Sequence, residues 1–153
     1  QLLVERIRAT VPQVSLSTDL IVGFPGESEA AFQRTVAMLE EMRFDKVHAA
    51  AYSTRPNTIA ARRMEDDIPA EEKKRRLKVI ESVQERIASE INAGLLHTTQ
   101  QVLVEGRDRG KWRGRSRNDK LVFSEDTREL QGQTVEMRIV KTSPWSLQGV
   151  AVN

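Results

Sequence analysis

The chain has no cysteine among its 153 residues, which excludes a disulfide framework, a thiolate metal site and an iron–sulfur cluster held by its own thiolates. It has two histidines, His48 and His97, and nothing pairs them at metal-ligand spacing, so no metal is assigned to the chain. No apolar run approaches the ~20 residues that a membrane span needs, and no signal-peptide pattern is present. A cytoplasmic protein without a membrane partner is therefore expected. The sequence also lacks an initiator methionine: Gln1 runs straight into LLVERIRAT, a helix already under way, as expected of a piece of something longer.

At 153 residues, 39% of them hydrophobic, the chain can form one medium domain or two small ones with real cores. The formal charge of +2 hides an asymmetry. Residues 1–96 carry 14 Lys/Arg against 15 Asp/Glu, whereas residues 97–153 carry 10 against 7, so the basic excess lies in the last third. Arg107, Arg109, Lys111, Arg113, Arg115 and Arg117 occupy every second position, with Lys120 close behind. In a hairpin alternate residues share a face, so most of these cations would point one way, with Gly106, Gly110 and Gly114 bending the register. Two readings stand: a solvated edge strand kept from aggregating by charge, or a surface that tracks nucleic-acid phosphates.

The most informative stretch is STDLIVGFPGE, Ser17 to Glu27. It runs from an apolar strand into a turn of Gly23, Phe24, Pro25 and Gly26 and on into a helix capped by Ser28, the strand-to-helix junction where α/β proteins place ligands. The Gly-Lys-Ser/Thr ending of a P-loop is absent, and Glu27 would repel a phosphate, so a sugar or adenine fits better. The periodicities predict a helix over residues 2–10, strands over 14–22 and 46–53, and a helix over 28–42 facing inward with Phe32, Val36 and Leu39. The small apolar run Ala49, Ala50 and Ala51 reads as a buried parallel strand. A loop through TRPNTIAARRMEDD follows, then a long helix with Pro69 in its first turn that ends near Leu96 and buries a stripe including Ile80 and Ile87. The run KKRR, Lys73 to Arg76, would spread around that helix as a mostly solvated face. After residue 96 the period changes, and short strands near 101–105, 120–124, 134–140 and 146–152 predict a small antiparallel barrel of about five strands.

These segments, STDLIVGFPGES, FDKVHAAAYSTRPNTIAA, IPAEEKKRRLKVIESVQERIASEINAGLLHTTQQVLVEG, GRSRNDKLVF and KTSPWSLQG, taken in order, resemble the carboxyl-terminal part of the radical S-adenosylmethionine methylthiotransferases. The likeness is greatest to the members that modify N-isopentenyladenosine beside the tRNA anticodon. The resemblance implies an α/β fold: residues 1–96 as the last units of a partial (βα) radical-SAM barrel, and residues 97–153 as an OB-like TRAM domain that binds RNA. It also implies S-adenosylmethionine, two 4Fe-4S clusters and an electron donor for the full-length enzyme. This stretch would hold none of those groups alone and contribute no catalytic residue. The GxIxGxxE-like element of the superfamily falls on Asp19 to Glu27; Asp19 replaces its first glycine and the acidic residue comes one position late, so only Ile21, Gly23, Phe24 and Pro25 carry over as packing near the adenosyl group. Tyr52 and Ser53 would contact the adenine from the next strand end. Arg55 would pair the S-adenosylmethionine carboxylate or an RNA phosphate, or else salt-bridge Glu65 or Asp66.

In the last third, Arg109, Lys111, Arg113, Arg115, Arg117 and Lys120 are the expected contacts to a tRNA anticodon stem-loop, with Trp112 stacking on an unpaired base. Trp145 reads as a core or rim residue. Sister methylthiotransferases acting on threonylcarbamoyladenosine in tRNA or on a ribosomal-protein aspartate remain open, as does a standalone RNA-binding module. A barrel cut through its middle would expose strand edges and an apolar inner face, so self-association or partial disorder over residues 1–60 is expected.

Overall fold

The computed structural model describes residues 1–152. Its elements run α1 (Leu2–Thr10), β1 (Ser17–Val22), α2 (Glu29–Met42), β2 (Lys46–Ala51), α3 (Ile59–Arg63), α4 (Ala70–Ala93), β3 (Thr99–Asp108), β4 (Lys111–Ser116), β5 (Leu121–Ser124), β6 (Thr134–Thr142) and β7 (Leu147–Ala151). They form two compact units, Leu16–Glu85 and the remainder. The division falls within α4.

In the Leu16–Glu85 unit, β1 and β2 pair in parallel from Ser17 opposite Lys46 to Val22 opposite Ala51. The connection between them is α2, as parallel pairing requires. Ser28 caps α2 by accepting a hydrogen bond from the Ala31 amide, and Phe32, Leu39 and Met42 are buried at the helical spacing. They share the core with Val22, Phe44 and Ile80. The short α3 lies where a loop is expected. One expectation fails on β2: Ala50 and Ala51 are exposed rather than buried, because the sheet of this unit has two strands only and covers too little of their face.

The other unit contains α1, the end of α4 and a closed barrel in the order β3-β4-β5-β7-β6. All pairs are antiparallel except β5 with β7. Counted within the barrel, the order is first, second, third, fifth, fourth, with third and fifth parallel, the Greek-key closure of an OB-like fold. Val102, Val104, Trp112, Val122, Leu130, Met137, Ile139 and Leu147 fill its interior. The β3–β4 hairpin turns through Arg109 (φ 50°) and Gly110 (φ 82°), the two positive angles of a type I′ turn. The amide of Asn92 on α4 donates to the carbonyls of Ser143 (2.8 Å) and Pro144 (3.1 Å), tying the helix end to the β6–β7 turn.

Candidate functional site

The first site is a pocket of about 210 Å³ at the carboxyl ends of β1 and β2. Ile21, Phe24, Tyr52, Ser53 and Arg55 all line it, with alanines from β2 and α3. Phe24 and Tyr52 meet edge to face, ring centroids 5.0 Å apart and planes at 71°. The two strand ends are held together where the Tyr52 amide donates to the Val22 carbonyl (2.8 Å). The lining is mostly apolar, with Ser53, Arg55 and Thr58 among its polar residues, the composition of a small-molecule pocket.

Gly23 and Pro25 do not line the pocket; both are buried beneath it. Gly23 sits at φ 67°, a conformation that disfavours any side chain, and a Cβ there would collide with the Lys73 side chain. Its amide donates to the Glu27 carboxylate (2.6 Å), so Glu27 serves as an internal acceptor that closes the turn. Arg76 binds that same carboxylate (2.7 Å), the Glu27 carbonyl (2.8 Å) and Glu72 (2.7 Å). Lys73 pairs with Asp66 and lies 5.2 Å from the centre of the Tyr52 ring. The Gly26 amide donates to Asp67 (2.8 Å).

The expectation that KKRR is a solvated face is therefore corrected. Lys73 and Arg76 are 8% and 4% exposed and brace the glycine turn, while Lys74 and Arg75 face solvent. Burial opposes the charge on Arg76, but the hydrogen bonds it donates to Glu27 and Glu72 outweigh that and raise the guanidinium pKa. Hydrogen bonds from Arg75 and Arg76 hold the Glu72 carboxyl down at about 2. The pairing offered for Arg55 with Asp66 does not form, since Asp66 is taken by Lys73.

The second site is the barrel surface. Lys111, Arg113 and Arg115 share one outward face of β4. Each has a modest partner: Lys111 with Glu125 (2.8 Å), Arg113 with Glu105 (3.6 Å) and Arg115 with Asp119 (3.6 Å). Arg117 donates to the Gln101 side chain (3.2 Å). Exposed pairs of this kind contribute at most about 1 kcal/mol, so these cations can exchange partners for phosphates at little cost. Lys120, partly buried, and the exposed Arg109 occupy the turns at either end of β4.

Trp112 requires a correction. It is 2% exposed and belongs to the barrel core, with its indole N–H donating to the carbonyls of Asp126 (3.1 Å) and Arg128 (3.2 Å). It cannot stack on a base. The run of alternating cations is also broken: a register shift between Val104 and Gly106 puts Arg107 opposite Trp112, 3.9 Å above its ring. Arg107 thus covers the tryptophan instead of joining Arg113 and Arg115. Trp145, expected in the core or rim, is 57% exposed.

Residues 96–152 match the TRAM domain family, the range the barrel occupies. The chain is 51% identical, over 99% of its length, to a tRNA-2-methylthio-N(6)-dimethylallyladenosine synthase of Dehalococcoides mccartyi strain CBDB1. It is 49% identical over 97% of its length to a synthase of the same name from Chloroflexus aurantiacus, and 42% over 98% to one from Acetivibrio thermocellus. The chain spans about a third of these relatives, 36%, 32% and 32% of their lengths. The similarity runs along nearly all of the chain.

Proposed function

We propose that the chain forms the last βα units, residues 1–96, and the RNA-binding TRAM domain, residues 97–153, of a cytoplasmic radical S-adenosylmethionine methylthiotransferase. Its substrate would be tRNA carrying N(6)-dimethylallyladenosine beside the anticodon. The observation that carries this reading is the 51% identity across 99% of the chain to a synthase of that product. Bound S-adenosylmethionine supplies the radical and methyl chemistry in such enzymes. Two 4Fe-4S clusters and an electron donor would serve the intact protein, with cluster thiolates coming from outside these cysteine-free residues.

Within this chain Ile21, Phe24 and Tyr52 would bear on the adenosyl group, Ser53 would hydrogen-bond its polar edge, and Arg55 would pair a carboxylate or an RNA phosphate. Gly23 and Pro25 would act from below by shaping the turn. Exposed apolar side chains around the pocket, Ile21 at 51%, Phe24 at 38% and Ile59 at 74%, support self-association of the isolated chain. Light scattering should report species larger than a monomer at micromolar concentration; a strictly monomeric profile would refute it.

The RNA reading is tested by salt titration. The chain is expected to bind a tRNA anticodon stem-loop weakly, with affinity falling steeply as salt rises. Changing Arg113, Arg115 and Arg117 together to alanine removes up to about three phosphate contacts and lowers the log–log salt slope by up to about 0.7–0.9 for each one lost. Unchanged affinity and slope in the triple variant would assign these cations to solubility alone.

A further inference from the structure

We propose a second element of the barrel's RNA surface: a groove over β5, β6 and β7 that holds one unpaired nucleobase stacked on Phe123. This rests on the reading of the barrel as an RNA-binding domain and supplies what Trp112, being core, cannot. On β5, Val122 and Ser124 face the interior, while Leu121 and Phe123 are only partly covered. Phe123 is opposite Arg113 of β4 on one side and Gln148 of β7 on the other, and Gln148 is opposite Lys141 of β6. The outer surface thus presents a row of cation, aromatic ring, amide and cation across four adjacent strands.

A groove of about 210 Å³ opens along this row, lined by Phe123, Lys111, Glu125, Val140, Gln148 and Val150. Val140 and Val150 are 46% and 54% exposed, so the apolar part of the groove is open to solvent. Among the described residues of the barrel, the two tryptophans are placed elsewhere: Trp112 is inside, and Trp145 lies in the β6–β7 turn. Phe123 is therefore the one aromatic ring on the sheet's outer surface.

This chemistry matches a base rather than a generic apolar partner. A nucleobase has two apolar faces and a hydrogen-bonding edge, and Gln148 offers a donor and an acceptor for that edge. Strands lie about 4.8 Å apart, so Arg113 stands one strand from the ring and Lys141 two, within reach of the phosphates that flank a single stacked nucleotide. Glu125 is neutralised by Lys111 at 2.8 Å, so the groove lining itself carries no net charge and the cations Arg113 and Lys141 stand at the ends of the row outside it. Oligonucleotides bind OB folds on the face of their second and third strands; Lys111 and Phe123 of the groove belong to those strands, β4 and β5, and the rest of it extends that face onto β6 and β7. A duplex, whose bases are already stacked and paired, cannot use the slot.

The test is fluorescence anisotropy on the full chain with a labelled single-stranded RNA heptamer and a labelled blunt RNA duplex of similar charge. Phe123→Leu keeps apolar volume but removes the ring; circular dichroism melting verifies its fold. It should weaken heptamer binding about tenfold and leave the duplex unchanged. Gln148→Ala, at an exposed position, should reduce the preference among heptamers of different base composition while leaving the fold intact. Should a folded Phe123→Leu bind the heptamer as tightly as wild type, or weaken both RNAs equally, the base slot is wrong although the phosphate-tracking surface stands. Failure of the wild-type chain to bind either RNA would remove the RNA reading and the slot with it.

Discussion

Arg76→Ala is expected to destabilise the Leu16–Glu85 unit by roughly 3–5 kcal/mol, the usual consequence of leaving one partner of a buried ion pair uncompensated. The arginine is 4% exposed and binds both the carboxylate and the carbonyl of Glu27, which in turn accepts the Gly23 amide. Removing it leaves a carboxylate in the turn with no cation. A unit of this size holds only about 4–10 kcal/mol, so the variant should be unfolded or nearly so at room temperature. Arg75→Ala makes the control, because Arg75 is about half exposed and pairs on the surface with Glu72 and Glu29, where a loss of at most about 1 kcal/mol is expected. Urea titration followed by circular dichroism separates the two. Equal midpoints for Arg76→Ala and Arg75→Ala would show that the network does not hold the turn.

The same network sets an acid limit. In the folded chain the Glu72 carboxyl titrates at about 2, against an ordinary value of 4.5. A carboxyl depressed by folding contributes stability that is complete above the ordinary value and is lost as pH falls toward the lowered one. Melting temperature should therefore drop between about pH 4.5 and pH 2, and Arg75→Ala, which keeps the fold and removes the hydrogen bond that lowers Glu72 most, should flatten that decline.

Gly114→Ala should destabilise the barrel by about 3 kcal/mol, the upper part of the range for forcing atoms into a packed interior. An added Cβ would run into the Leu103 carbonyl and stand 2.8 Å from Cγ1 of Val102, on the strand next door. Backbone in the middle of a closed barrel cannot retreat without opening a ladder on the far side. Gly106→Ala is the matched control, since nothing lies within 4 Å of its added carbon. Trp112 supplies the signal: buried at 2%, its fluorescence shifts to the red when the barrel opens. Coincident melting of the two variants would contradict the packing at Gly114.

The reach of the sequence differs between elements for physical reasons. The buried faces of α2 and α4 follow the 3.6-residue period, and Phe32, Leu39, Ile80 and Ile87 are buried as that period requires. The bracing of the glycine turn was hidden because Arg76 lies 49 residues from Glu27, and a charge run on a helix looks the same whether one side of it meets solvent or a partner. At 100° per residue Lys73 and Arg76, three positions apart, share one helix face, and that face meets Asp66 and Glu27. Trp112 was legible in principle: if Arg113 and Arg115 point outward, the period of two sends Trp112 to the core. Its setting among cations suggested the opposite. The register shift at Gly106, which diverts Arg107 onto the indole, leaves no trace in composition; only the glycine hints at it. The pocket residues from Ile21 to Arg55 come from two segments joined by β1 pairing with β2, and a family resemblance brought them together where periodicity alone did not.

The central claim is that these residues work as part of a tRNA methylthiotransferase, and it is tested most directly by segment exchange. The matching third of the Dehalococcoides mccartyi CBDB1 synthase, 51% identical to this chain, is replaced by these 153 residues, and tRNA nucleosides from a host lacking its own synthase are analysed by mass spectrometry. The account predicts 2-methylthio-N(6)-dimethylallyladenosine in tRNA from cells carrying the chimera, and its loss when Arg76→Ala is introduced. A stable, soluble chimera with its clusters intact that leaves N(6)-dimethylallyladenosine unmodified would contradict it.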